Sequence, residues 1–270
     1  PVPPPPADLV ACLLDADCIP PFTPALSECS VAVIGSSVAF GIGSSPSGFG
    51  WVDQLRAALA HEDYNLEVHN LAVGRRNTSL ALADLELALQ QAVPRIVVLG
   101  LSTANEQLDD AQTTEQAQAV QVQYTQGLAA IAQRAAAVGA HLVVGGVYPS
   151  DKYTSLQAGV LFATDTALRS TYGDAYIPFL DTVGDANGHW QPAFRHNKGH
   201  PNTAGYAAMF DAIDLDTLFG PYRCTSPPPS PVPPPSPPPL SPPSPSPPPP
   251  SPPTPPPSPP PSPPPSPPPS

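Results

Sequence analysis

Two stretches far apart in the chain carry residues able to do nucleophilic chemistry. The first is Gly35-Ser36-Ser37-Val38-Ala39-Phe40-Gly41, directly after the apolar, β-branched run 31–34. Such a run forms a strand buried on both faces of a parallel sheet. Open α/β sheets place ligands in the crevice outside the carboxyl ends of their strands. Ser37 therefore falls on a small-residue turn at such an end, with Gly41 letting the next segment pass close by; the same residue types also close ordinary strand–helix turns. The second stretch is Asn197-Lys198-Gly199-His200-Pro201-Asn202-Thr203-Ala204-Gly205-Tyr206. A serine hydroxyl is a poor nucleophile until a base within hydrogen-bond reach accepts its proton, and imidazole titrates in the right range. A Ser37–His200 pair would support acyl transfer. The long segment 181–200 also holds His189, Trp190 and His196. Its histidines show no helical i, i+4 pair and no adjacent cysteine, so a metal site is not supported. Trp190 is expected to be a lip of the cleft or a core plug.

Together with two stretches between them, these segments resemble the SGNH hydrolase superfamily, the GDSL-like esterases and lipases. The block around Ser37 is similar to GDSxxxG, with Ser36 where the family usually has aspartate. Gly100-Leu101-Ser102-Thr103-Ala104-Asn105-Glu106 looks like the block ending in the oxyanion-hole asparagine, and His200-Pro201-Asn202 with Gly205 like the histidine block. Asn70-Leu71-Ala72-Val73-Gly74-Arg75-Arg76-Asn77-Thr78 is similar to the block whose glycine amide joins the oxyanion hole. Counted from Asn70 that glycine falls on Arg75, with Gly74 one step early. The resemblance implies Ser37 as nucleophile and His200 as general base. It implies an oxyanion hole of the Ser37 amide, the Gly74 or Arg75 amide and the Asn105 side chain, with no cofactor. A β-carbon at Arg75 restricts its dihedrals, and its guanidinium is expected either to bind an anionic substrate or to sit in solvent.

The acid departs from the family pattern. The family usually has aspartate three residues before the histidine, and this chain has Asn197. Asparagine can orient an imidazole but cannot offset the charge that forms on it, and loss of that charge costs ~10⁴ in turnover in a triad protease. Three outcomes stay open: a Ser37–His200 dyad, a substitute carboxylate from Asp181 or Asp185, or a domain that no longer catalyses. Asn77-Thr78-Ser79 is an N-glycosylation sequon, which would place a glycan on Asn77 close to the cleft.

Several elements must position these residues. Val52, Leu55, Ala58 and Leu59 have helical spacing, Leu66 and Val68 mark a second strand, and leucines over 80–93 give a helix stopped by Pro94. Residues 96–99 form the third strand and deliver Asn105 to the crevice of Ser37. A long helix over 113–138, a strand over 142–147, a helix over 156–169 and a fifth strand over 176–180 follow. The last helix spans 202–210, with Asn202 as N-cap. Apolar strands alternating with helices imply right-handed βαβ units. The expected fold is α/β, a three-layer αβα sandwich with a flavodoxin-like five-stranded parallel sheet, and the resemblance implies the same.

Composition divides the chain into a Pro-rich, Cys-containing segment 1–30, a hydrolase-like domain 31–224 and a Ser-Pro-rich region 225–270. Of 46 prolines, 31 lie in the last 45 residues, which leaves about 200 residues for one globular core. A net charge of −12 argues against nucleic acid as partner, and no apolar run approaches the ~20 residues of a membrane span. Beginning at Pro1, the chain is expected to be a mature product or a segment of something longer. Of the three pairings open to Cys12, Cys18, Cys29 and Cys224, Cys12–Cys18 with Cys29–Cys224 is favoured, because the latter ties the domain's two ends together. Each bridge would contribute ~2 to 4 kcal/mol in an oxidising compartment. The Ser-Pro-Pro-Pro repeats should adopt polyproline II at ~3.1 Å per residue. They resemble the hydroxyproline-rich glycoproteins of plant and green-algal cell walls, which implies O-glycans on the tail.

Two functions follow as expectations. One is a secreted esterase or acetylesterase acting on carbohydrate or small esters, held by a glycosylated stalk near extracellular polysaccharide. The other is a catalytically impaired domain serving as a structural component among the glycoproteins of an extracellular fibre or wall. The first requires Ser37 and His200 within ~3.2 Å beside an open crevice; the second, a filled or covered one.

Overall fold

The structure, a computed structural model, describes residues 27–61, 63–90 and 93–224. The Pro-rich start, the Cys12–Cys18 pairing and the polyproline tail expected from the sequence lie outside the described residues. In chain order the elements are β1 (Ser30–Gly35), α1 (Ser37–Phe40), α2 (Trp51–Leu59), β2 (Glu67–Asn70), α3 (Thr78–Leu89), β3 (Ile96–Gly100), α4 (Thr114–Ala137), β4 (His141–Gly145), α5 (Ser155–Tyr172), β5 (Tyr176–Ile177), α6 (Phe179–Val183), β6 (Arg195–Asn197), β7 (His200–Pro201), α7 (Thr203–Asp211) and α8 (Leu215–Leu218). Short 3-10 turns follow β3.

Strand pairing gives a five-stranded sheet in the order β2-β1-β3-β4-β5 with every pair parallel. This is the flavodoxin-like α/β sandwich, with its switch point between β1 and β3. The period-2 alternation of side chains sorts the central strands onto two cores. Ala32 and Ile34 of β1 and Val97 and Leu99 of β3 face a cluster shared with Leu85 of α3, Leu128 of α4 and Leu161 of α5. Val31, Val33, Ile96 and Val98 face the other, shared with Trp51 and Leu55 of α2 and Met209 of α7. These strand residues are fully buried, and each large one contributes roughly 1.5–3 kcal/mol relative to exposure.

Helix starts follow local chemistry. Reciprocal capping boxes join Thr113 with Gln116 and Thr154 with Gln157, while Asn77 caps α3 and Asn202 caps α7 through their side-chain oxygens. Some expected boundaries shift. The strand expected at 176–180 is paired only at Tyr176 and Ile177; Pro178 has no N–H for a ladder, and residues from Phe179 on form α6. β4 ends at Gly145 rather than residue 147. The segment 181–200, expected to be irregular, contains the end of α6 and the β6 strand, which pairs antiparallel with β7. No helix among the described residues is long and apolar enough to cross a membrane. Cys29 and Cys224 form a disulfide with a Cα–Cα distance of 5.7 Å, closing the domain's two ends on each other.

Candidate active site

Ser37 is the first residue of α1, the turn that leaves β1 at the switch point. The close approach there depends on two glycines. A β-carbon on Gly35 would stand 2.7 Å from the Gly100 carbonyl oxygen, and one on Gly100 2.9 Å from the Tyr148 hydroxyl. Ser36 occupies the family's aspartate position; its amide donates to the Gly100 carbonyl at 3.0 Å, and its hydroxyl is buried without a hydrogen-bond partner among the described residues. Asn70, at the end of β2, donates from Nδ2 to the Ala39 carbonyl at 2.9 Å and so holds the 70–76 loop against α1.

The C-terminal stretch arrives as a tight hairpin. β6 and β7 are joined by Lys198 and Gly199 alone, which makes Asn197 and His200 cross-strand partners, and directly opposed residues have adjacent side chains. His200 Nε2 lies 2.9 Å from Ser37 Oγ, and its Nδ1 lies 3.1 Å from Asn197 Oδ1. Asn197 Oδ1 also accepts the Gly199 amide at 2.9 Å, which fixes the oxygen rather than the amide nitrogen toward the ring. Nδ1 is therefore the protonated nitrogen and Nε2 the acceptor for the Ser37 hydroxyl. Burial lowers the His200 pKa below the ordinary imidazole value, with further depression by His196 and Lys152.

Neither expected substitute acid reaches this ring. Asp181 is bound to Arg169 at 2.7 Å, and Asp185 accepts the amides of Asn187 and His189 within its own turn. Each carboxylate satisfies its local element, and the position facing Nδ1 belongs to Asn197.

The remaining expected residues converge on the same cleft, a cavity of about 500 Å³ lined by Ser37, Gly74, Arg75, Asn105 and His200 among others. The amides of Ser37, Gly74 and Arg75 have no acceptor among the described residues. Arg75, where the family glycine is expected, adopts φ +66°. This left-handed conformation costs a residue with a β-carbon roughly 1–2 kcal/mol, and strain of this kind collects at functional sites. Asn105 donates from Nδ2 to the Arg76 carbonyl at 2.9 Å; a primary amide has a second N–H. Arg76 is itself anchored by a buried pair with Asp84 at 2.7 Å. Asn77 uses its side-chain oxygen to cap α3, accepting from the Leu80 amide at 2.9 Å.

Sequence reasoning misses the turn after β4. Ser150 and Lys152 line the cleft, and Asp151 braces the histidine hairpin. The Asp151 amide donates to the Lys198 carbonyl at 2.8 Å, and its carboxylate accepts the Trp190 amide at 3.0 Å and pairs with Arg195 at 2.6 Å. The available signal is position alone, at the carboxyl end of a sheet strand. Of the other residues in the 181–200 segment, Trp190 is a core plug at 1 % exposure, and His189 Nε2 lies 3.0 Å from the Tyr153 carbonyl.

Known proteins share this arrangement of chain. The model of the GDSL-like Lipase/Acylhydrolase family matches residues 33–208. Esterase TesA of Pseudomonas aeruginosa is 28% identical over 163 residues, which cover 60% of this chain and 76% of that protein. A crystal structure of TesA superposes with a TM-score of 0.55 at 24% identity, covering 72% of this chain and 99% of that one. The psychrotrophic esterase EstA from Pseudoalteromonas sp., solved inhibited by monoethylphosphonate, gives 0.51 at 18% identity over 68% of this chain and 93% of that one. The lipase Lip_vut3 from a goat rumen metagenome gives 0.56 at 13% identity over 72% and 99%. These three structural likenesses are of fold.

Proposed function

Because the chain belongs to the GDSL-like lipase/acylhydrolase family, we propose that it is a serine esterase, an acetylesterase of carbohydrate or small esters, working outside the cell on a glycosylated proline-rich stalk. The observation that carries the catalytic part is the 2.9 Å contact between Ser37 Oγ and His200 Nε2 at the edge of an open cleft. In this reading Ser37 Oγ attacks the ester carbonyl while Nε2 takes its proton. The tetrahedral oxyanion is held by the amides of Ser37 and of Gly74 or Arg75 and by the Asn105 side chain. Removal of one such donor costs ~2.7–4 kcal/mol in a known protease. Collapse of the intermediate sends the proton from Nε2 to the leaving alcohol. Water activated by the same nitrogen then releases the acid and restores Ser37. Asn197 keeps the imidazole in the competent tautomer but leaves the imidazolium without a counter-charge.

The stalk and the extracellular setting draw on the Ser-Pro repeats and on the Cys29–Cys224 disulfide, which suits an oxidising compartment. A second reading, a catalytically impaired structural component of an extracellular glycoprotein fibre, draws on the departures from the family pattern at Ser36, Arg75 and Asn197. Labelling with a serine-reactive phosphonate separates the two. Modification of the native protein and none of Ser37→Ala is the expected result; equal labelling of both, or of neither, would remove the esterase reading.

A further inference from the structure

The chain as a whole is acidic, with 22 Asp plus Glu against 10 Lys plus Arg. The cleft inverts that balance, since its lining includes Arg75 and Lys152 and no carboxylate. Arg75 is also the one arginine among the described residues whose side chain makes no hydrogen bond or ion pair. Arg56, Arg76, Arg95, Arg134, Arg169, Arg195 and Arg223 are all bound to acceptors. It is held beside the nucleophile in a left-handed conformation better suited to glycine, so the fold keeps a guanidinium at the cleft at a cost in stability. Lys152 follows β4 as Arg75 follows β2, on either side of β1 and β3 in the sheet order, and it is near enough to His200 to act on its charge. Its partner is Asp109, at 3.1 Å, and its side chain is 53% exposed.

Resting on the esterase reading above, we infer that this cleft selects esters whose alcohol half is anionic. In the proposed mechanism His200 returns its proton to the leaving alcohol, so the alcohol extends along the His200 side, toward Lys152. Arg75 lies across the cleft, beside the oxyanion donors. An alcohol bearing several carboxylates or phosphates, such as a partly acetylated acidic oligosaccharide, meets both cations at once. A neutral alcohol leaves Arg75 unpaired.

The test compares 4-acetoxybenzoate with its neutral methyl ester at low ionic strength, each rate corrected for spontaneous hydrolysis. The expected kcat/KM ratio favours the anion by about tenfold and shrinks toward one at high salt. Lys152→Gln should reduce that ratio by about fivefold, the upper reach of one exposed ion pair, and Lys152→Arg should retain most of it. Arg75→Gln should act in the same direction on acetylated galacturonate oligomers, whose several carboxylates meet both cations. Run in parallel with 4-acetoxybenzoate, 4-acetoxyphenyl phosphate distinguishes phosphate from carboxylate as the preferred anion. Hydrolysis of both benzoate esters with a ratio near one, or a ratio indifferent to Lys152→Gln, overturns the inference and leaves the esterase reading standing. Hydrolysis of neither ester overturns both.

Discussion

Asn197 and His200 face each other across a two-residue hairpin, with Oδ1 of the first 3.1 Å from Nδ1 of the second. The spacing of three residues between them is what a turn of Lys198 and Gly199 requires, so the side chain at 197 is directed at the imidazole whatever its charge. Replacing Asn197 by Asp puts a carboxylate at the same point without moving backbone. In a triad protease the reverse change costs ~10⁴ in turnover. Asn197→Asp should therefore raise kcat by at least about tenfold on a neutral ester, measured by steady-state kinetics. An unchanged or lower kcat would mean that the imidazolium is not formed in the rate-limiting step.

The protonation state of His200 gives a second expectation. Burial, reinforced by His196 and Lys152, lowers its pKa below the ordinary 6.5. The acid limb of the kcat/KM profile should therefore lie below pH 6.5, and Asn197→Asp should move it upward, because a nearby negative charge favours imidazolium. A limb at or above 6.5 in the native protein would show that burial does not depress the His200 imidazole.

The same shifts act on stability. His69, His141 and His200 all have lowered pKa values, chiefly through burial. Above pH 6.5 they are neutral in both folded and unfolded chains. Below it the unfolded chain takes up more protons than the folded one, so stability falls with pH from about 6.5 down through the folded values. Urea denaturation at pH 7.5 and 5.5 should show a lower midpoint at 5.5 with a similar slope, and a higher midpoint would be the wrong sign.

Asn105 is expected to act on the transition state rather than on binding. Its Nδ2 is tethered to the Arg76 carbonyl, so the amide is already oriented before substrate arrives. Asn105→Ala should lower kcat by about 10²–10³ with little change in KM, by analogy with loss of an oxyanion donor. An effect confined to KM would assign Asn105 to substrate binding.

The Cys29–Cys224 bridge closes a loop of sequence separation 195. Its loss should reduce the free energy of unfolding by about 2–5 kcal/mol, seen as a lower Tm for a Cys29→Ser, Cys224→Ser variant. A Tm within a degree of the native protein would show that the ends are held by packing alone.

Much of this was open to a reader of the sequence because the relevant signals are local. The apolar runs at 31–34 and 96–99 end abruptly in small residues, and strands of that kind can lie only in the middle of a covered sheet. Ser37 and Asn105 follow those runs, so their meeting at one crevice is a consequence of parallel pairing between β1 and β3. His200 is legible through its motif. Asn197 is legible through the same motif, three residues before the histidine; that it, rather than Asp181 or Asp185, faces the ring is not, because three-residue β6 and two-residue β7 are too short to show a period. The engagement of Asp181 with Arg169 and of Asp185 with the 185–189 turn is a tertiary fact. Lys152 and Asp151 are hidden for a related reason: the turn after β4 has no motif, and only its place at the strand end gives it a part in the cleft. The left-handed Arg75 stands between these cases. The family pattern marks the position as glycine's, and Arg75 adopts there a left-handed conformation that suits glycine.

The disulfide between Cys29 and Cys224 also determines how the domain carries load. Tension applied through the chain on either side passes from one sulfur to the other and bypasses the sheet, the cleft and the hairpin that holds His200. A protein strung into a stretched network would keep its working geometry under strain for as long as that bond stays oxidised. Reduction would route the same tension through β1 and its neighbours.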